Sequence, residues 1–133
     1  MTTVFVDTGY WIGLLHDGDA YHERVMRAPR PSRLVTTVPV LLEVMDAFSQ
    51  PKHRTLALRL WNVIRDSQDV ELVSLDESLL KAGVALFEGR SDKAWSLTDC
   101  ISFVVMIDRR IADALTFDHH FEQAGFNVLL KDK

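Results

Sequence analysis

The chain has 133 residues, 47% of them hydrophobic and 26% charged, and carries a net charge of −4 from 15 basic and 19 acidic side chains. That length suits one domain spanning 1–133 that buries roughly two thirds of the surface its unfolded form exposes, and the composition excludes a disordered or collagen-like chain. The acidic balance supplies no global basic signature for nucleic-acid binding, and the single cysteine, Cys100, excludes an intramolecular disulfide.

Val4 to Val6 is a β-branched and aromatic run that suits a strand buried on both faces and ends at Asp7. It follows the N-terminus with no basic and apolar leader, so a cytoplasmic location is expected. Thr8 starts a helix through Trp11, Ile12, Leu14 and Leu15. Asp19, after Gly18, fits the cap of a second helix that stops before the linker from Pro29 to Ser32. Leu34 to Thr37 has strand character, and Val38 to Phe48 reads as a helix with Pro39 in its first turn.

From Thr55 to Ile64, apolar residues at 56, 60, 63 and 64 follow helical spacing, which predicts an amphipathic helix ending near Ser67. Val70 to Leu75 is the next strand. Asp76 caps a helix through Leu79, Leu80, Val84 and Phe87 that Gly89 ends. Ser96 begins an apolar helix to Ile107. Its core, Cys100 to Ile107, is broken by Ser102 and is far shorter than the ~20 residues of a membrane span. Ala114 to Thr116 reads as a fourth strand, Phe121 lies on a short helix closed by Gly125, and Val128 to Leu130 can add an edge strand. Strands alternating with helices specify an α/β fold, a three-layer α/β/α sandwich with a central parallel sheet. Ligands of such sheets bind beyond the carboxyl ends of the strands, where the strand order reverses.

Asp7 and Asp118 follow strands, so both fall at that carboxyl edge. Asp99 lies in the first turn of a helix antiparallel to the strands, and Glu43 lies one or two turns into the helix leaving the second strand. All four can converge. Each is the only charge in an apolar setting, as in Val4-Phe5-Val6-Asp7 or Leu41-Leu42-Glu43-Val44, and no lysine or arginine adjoins any of them. Partly buried carboxylates that cluster repel one another unless a cation sits between them. Oxygen-only ligands favour Mg²⁺ or Mn²⁺ over zinc, and such sites commonly hydrolyse phosphodiesters. Structural readings stand beside this one. Ser96 and Asp99 fit a capping box, Asp7 and Asp118 could cap the helices that follow them, and Glu43 could face water.

With these positions in hand, the chain resembles the PIN-domain family of metal-dependent nucleases and is similar in size to the VapC-like ribonuclease toxins of toxin-antitoxin pairs. The residues that carry the resemblance are Asp7-Thr8, Glu43, Ser96-Leu97-Thr98-Asp99 and Thr116-Phe117-Asp118 ahead of Phe121, in the family's order and over the whole chain. The resemblance implies that Asp7, Glu43, Asp99 and Asp118 hold Mg²⁺ or Mn²⁺ and that activated water cuts RNA, leaving 5′-phosphate and 3′-hydroxyl ends. Thr8 and Thr116 would be supporting hydroxyls. It also implies a homodimer and a small antitoxin partner.

Other residues read more plainly. Asp92 is a solvated loop acid before it is an outer ligand. His119 and His120 start a surface helix, although they could touch substrate. His22 suggests no site, Cys100 belongs to the core, and Trp11, Trp61 and Trp95 are packing residues. Arg24, Arg27, Arg30 and Arg33, with Lys52, His53 and Arg54, are solvated faces before they are phosphate contacts. A phosphoacceptor receiver domain shares the architecture, but it wants paired acids after the first strand, and an Asp-x-Asp phosphatase meets Gly9 at its second acid. A stand-alone RNA-processing nuclease, or a PIN-like domain that binds RNA or protein without cutting, remains the alternative function.

Overall fold

The computed structural model describes residues 2–130. Five parallel strands make one sheet in the order β3-β2-β1-β4-β5. They are β1 (Thr3–Val6), β2 (Arg33–Thr37), β3 (Val70–Val73), β4 (Asp113–Leu115) and β5 (Asn127–Val128). The helices are α1 (Thr8–Leu15), α2 (His22–Arg27), α3 (Val38–Ala47), α4 (Arg54–Asp66), α5 (Glu77–Gly89), α6 (Leu97–Arg109) and α7 (His120–Gln123), with a 3₁₀ turn at Pro51–His53. Helices α1 to α4 pack among themselves, as do α5, α6 and α7, which gives the three-layer α/β/α arrangement expected from the alternation of elements.

The sheet grows outward from β1. Phe5 pairs with Val35 of β2 on one side and with Ala114 of β4 on the other. The chain builds β1, β2 and β3 in one direction, then crosses back to lay β4 and β5 on the far side of β1. The strand order therefore reverses between β1 and β4. A backbone bond from Asp7 N–H to the Leu115 carbonyl, at 3.1 Å, carries that seam one residue past β1. Val4, Phe5 and Val6 are all buried, as a central strand covered on both faces requires.

Local signals fix the helix starts. The Thr37 hydroxyl accepts from Val40 N–H at 3.3 Å with Pro39 in the first turn of α3, and Asp76 accepts from Leu79 N–H at 2.8 Å to start α5. Helix α6 ends on Arg110 in the left-handed conformation (φ 56°), with Ile111 N–H bonded back to the Met106 carbonyl. The short α7 is closed by Gly125 at φ 97°, a conformation that glycine adopts without the penalty of a Cβ.

Several sequence boundaries shift, most by one or two residues, as where β4 is Asp113–Leu115 and α6 runs on to Arg109. Asp19 caps no helix. Its carboxylate accepts from Tyr21 N–H at 3.1 Å in a turn, and α2 begins one residue later, at His22. The last strand is Asn127–Val128, because pairing with β4 covers only Asp113 and Ala114. Strand β3 stops at Val73, where its register with β2 ends at Thr37.

The core runs through both layers. Phe5 of β1, Phe103 of α6 and Phe121 of α7 form a connected aromatic set, with ring centroids 6.1 Å apart for Phe5 and Phe121 and 4.9 Å for Phe103 and Phe121. Trp95 packs edge-on to Phe103 at 5.0 Å and donates its indole N–H to Gln123 at 2.9 Å. Trp11 is buried as well, whereas Trp61 is 38% exposed and so packs only in part. Cys100 is fully buried, and burial pushes its thiol up, in keeping with a core residue.

Candidate active site

The seam between β1 and β4 gathers the acids. Asp7 follows the last residue of β1, and Asp118 follows β4 by three residues. The Thr116 hydroxyl joins them: it donates to Asp7 Oδ2 at 2.9 Å and accepts from Asp118 N–H at 3.0 Å. Asp7 occupies the N-cap position of α1 without making a side-chain cap bond, so its capping role is positional only.

Asp99 does both jobs its sequence allows. Ser96 Oγ accepts from Asp99 N–H at 3.0 Å, and Asp99 Oδ2 accepts from Ser96 N–H at 3.1 Å, which completes a capping box at the start of α6. The same carboxylate faces the seam, since its charge acts on Asp7. Capping and a place at the acidic edge are thus compatible, because only Oδ2 takes the Ser96 bond.

Glu43 departs from the expectation of a partly buried acid. It lies exposed on α3 beside Leu42, which is 53% exposed, yet Thr8 Oγ1 donates to its Oε1 at 2.6 Å. That bond ties α3 to the first residue of α1 and brings Glu43 close enough for its charge to act on Asp7. Thr8 and Thr116 therefore each hold a carboxylate, Glu43 and Asp7 respectively.

Burial, more than any other influence, raises the Asp7 carboxyl from 3.8 to about 7, and repulsion by Asp99 and Glu43 adds to it, against bonds from the Thr8 backbone and the Thr116 hydroxyl. The Asp99 carboxyl is likewise raised, chiefly by burial and then by the charge of Asp118. The charges of Asp99 and Glu43 thus bear on Asp7, and that of Asp118 on Asp99. The four acids are linked in series, Glu43 to Asp7, Asp7 to Asp99 and Asp99 to Asp118, although among the described residues no three of them present ligand atoms within 4.8 Å of one another.

His120 is the residue that sequence reasoning placed elsewhere. Its Nδ1 lies 3.2 Å from Asp99 Oδ2 and 3.2 Å from Asp118 Oδ1. A carboxylate only accepts, so Nδ1 carries the proton and bridges two of the four acids. Its backbone N–H also donates to Asp118 Oδ1 at 2.9 Å. Among the described residues, Asp118, His119 and His120 offer ligand atoms within 4.8 Å of one another. The signal that could have found His120 is its place in the first turn of a short helix, two residues after an edge aspartate, where the chain turns back toward the acids.

The remaining candidates are structural. Asp92 is bound to the Arg90 guanidinium at 3.0 and 3.1 Å, which holds its carboxyl below the usual range and leaves it a solvated loop acid. His22 Nδ1 lies 2.6 Å from the Gly13 carbonyl and pins α2 to α1. Arg33 pairs with Glu71 at the opposite, amino edge of the sheet.

Residues 4–127 match the PIN domain family model. The chain is 33% identical over 130 residues to the 23S rRNA-specific endonuclease VapC20 of Mycobacterium tuberculosis, covering 92% of this chain and 95% of that protein. The crystal structure of that VapC20, described as a sarcin-ricin loop cleaving toxin, superposes with a TM-score of 0.84 at 29% identity over 92% of this chain and 95% of the other. A toxin-antitoxin complex from Klebsiella pneumoniae (TM-score 0.64, 18% identity, 87% of each chain) shares the fold. So does VapBC2 from Rickettsia felis bound to a promoter DNA fragment (TM-score 0.67, 10% identity, 98% of each chain). The chain belongs to the PIN-domain family, and within it to the VapC-like proteins.

Proposed function

We propose that this chain, working as one PIN-like domain, is a metal-dependent endoribonuclease and the toxin of a toxin-antitoxin pair. One observation supports the reading: beside the point where the strand order reverses, burial and then the charges of Asp99 and Glu43 raise Asp7 to about 7, and the charge of Asp118 bears in turn on Asp99. Like charges gathered in this way fit a divalent cation. The donors of Asp7, Glu43, Asp99 and Asp118 are hard oxygens, which suit Mg²⁺ or Mn²⁺. When bound, the cation would lower the pKa of a water and offset charge on the scissile phosphate.

The chain's own residues then have defined tasks. Thr116 and Thr8 orient Asp7 and Glu43, and Asp99 is held by its cap. The His120 ring N–H bridges Asp99 and Asp118, and its imidazole would have to yield that position to a bound cation. The fully buried Thr36, bonded to the Val6 carbonyl at 2.9 Å, stiffens the strand end that presents Asp7. Hydrolysis would leave 5′-phosphate and 3′-hydroxyl ends.

The likeness to VapC20 nominates 23S rRNA, at the sarcin-ricin loop, as the RNA to try first. The likeness to toxin-antitoxin complexes nominates a small antitoxin as partner; a homodimer and a cytoplasmic setting are part of the same proposal and rest on the sequence alone. The test is cleavage of a single-stranded RNA and of a 23S rRNA fragment with Mg²⁺, with Mn²⁺ and with EDTA, beside Asp7→Asn. Metal-dependent cleavage lost in the variant supports the reading. Equal cleavage by parent and variant would sink it.

A further inference from the structure

Beside the acids lies an aromatic pair that the core covers only in part: Phe117 packs against it and Tyr21 stays open to solvent. Tyr21 stacks on Phe117 with ring centroids 4.2 Å apart and planes 26° from parallel. The Arg24 guanidinium sits over both rings, 4.9 Å from the Phe117 centroid and 5.4 Å from that of Tyr21, and donates to the Leu130 carbonyl at 2.8 Å. Aromatic residues that serve packing here, such as Phe5, Phe103 and Phe121, are buried almost completely, whereas Tyr21 is 41% exposed.

The pair is also placed. Phe117 stands between Thr116, which holds Asp7, and Asp118. A Cβ on Gly9 would come within 3.3 Å of Phe117 Cδ2, so this ring lies against the first turn of α1, next to the Thr8 that holds Glu43. Tyr21 itself is fixed at both ends of its peptide unit: its N–H by Asp19 at 3.1 Å, and its carbonyl by Val25 N–H at 3.0 Å. Platform and acids share one rim of the molecule.

We propose that Tyr21 and Phe117 form a stacking platform for an unpaired nucleobase of the RNA flanking the scissile phosphate. The inference rests on the ribonuclease reading and names how that site holds its substrate. In a chain of net charge −4, stacking on a preorganised aromatic surface is a contact to the strand that does not depend on attraction to its phosphates. Base stacking tolerates any sequence and demands an unpaired nucleotide. Arg24, covering the pair, adds the cation-π attraction that holds the rings in this pose.

The experiment uses a short single-stranded RNA carrying 2-aminopurine at successive positions around the cut. With the parent, fluorescence should be quenched at one flanking position, and Tyr21→Ala should relieve that quenching. The same variant should raise KM by about 10-fold or more with kcat little changed, the scale of one lost base stack. Tyr21→Phe, which keeps the ring, should retain both. If the parent cleaves RNA while Tyr21→Ala alters neither quenching nor KM, the platform is wrong and the nuclease reading stands. If the parent neither cleaves nor quenches, both are wrong. Quenching without cleavage would overturn both the nuclease reading and the platform's place beside a scissile phosphate, leaving only a site that binds RNA. If Tyr21→Ala weakens only the hold on a protein partner, the RNA assignment is overturned.

Discussion

Replacing Asp7 by asparagine should stabilise the metal-free protein above neutral pH. Burial first, then repulsion from Asp99 and Glu43, lifts the folded-state carboxyl from 3.8 to about 7. An acid whose folded pKa lies above its unfolded value binds its proton more tightly in the native state. Stability therefore falls as pH rises from 3.8, and the loss is complete above about 7. Each unit is worth about 1.4 kcal/mol, so a gap of roughly 3 units amounts to ~4 kcal/mol as an upper bound. Asparagine cannot ionise, and its Oδ1 can still accept the Thr116 hydroxyl. Urea unfolding in EDTA at about pH 8 should place Asp7→Asn some 2–4 kcal/mol above the parent, with the difference falling below about 1 kcal/mol near pH 4. Adding Mg²⁺ should narrow the gap by stabilising the parent. Equal midpoints at about pH 8 in EDTA, or a difference that does not change with pH, would refute the account of Asp7 as a strained buried charge.

Four further outcomes follow from other parts of the fold. Gly83→Ala would put a Cβ 2.6 Å from Ile101 Cγ1 between α5 and α6, and should cost about 1–3 kcal/mol by urea unfolding. Phe121→Ala removes the ring that joins Phe5 to Phe103 and should cost about 3–5 kcal/mol by the same measurement. Arg110→Gly should raise stability by about 1 kcal/mol, because the residue sits at φ 56° where glycine carries no Cβ penalty, and a thermal melt reads it. Glu43→Gln lies on an exposed surface and should leave the melting temperature nearly unchanged, while RNA cleavage falls by about two orders of magnitude, the scale of one lost electrostatic contact to a transition state.

The order of elements was legible because β1 is apolar on both faces, the starts of α3, α5 and α6 carry Pro39, Asp76 and Ser96, and one cap bond forms at each. The edge position of Asp7 and Asp118 was legible for the same reason: a residue that follows a parallel strand has nowhere else to go. The start of α2 was not, because Asp19 has two ways to satisfy the backbone ahead of it, and the turn won over the helix. Nor was the exposure of Glu43 legible, since an apolar flank of Leu41, Leu42 and Val44 looks the same on a half-covered helix as on a covered one. The position of His120 two residues after Asp118 put it near the edge, but its reach to Asp99 depends on how α7 packs against α6, which is a tertiary fact.

The four acids are unequal in what the fold asks of them. Asp99 caps the start of α6 as well as facing the seam, and Asp118 accepts from His120 N–H to begin α7, so changing either alters a helix start along with the charge. Asp7 carries the opposite cost, a charge that burial penalises and that no cap bond repays. Glu43 takes the Thr8 hydroxyl on an exposed face and contributes little to folding. A structural account of the cluster could explain Asp99 and Asp118 and would have no use for Asp7 ionised or for Glu43 reaching toward it. Those two residues are therefore where function and stability separate: one should become more stable when neutralised, the other indifferent, and both should lose cleavage.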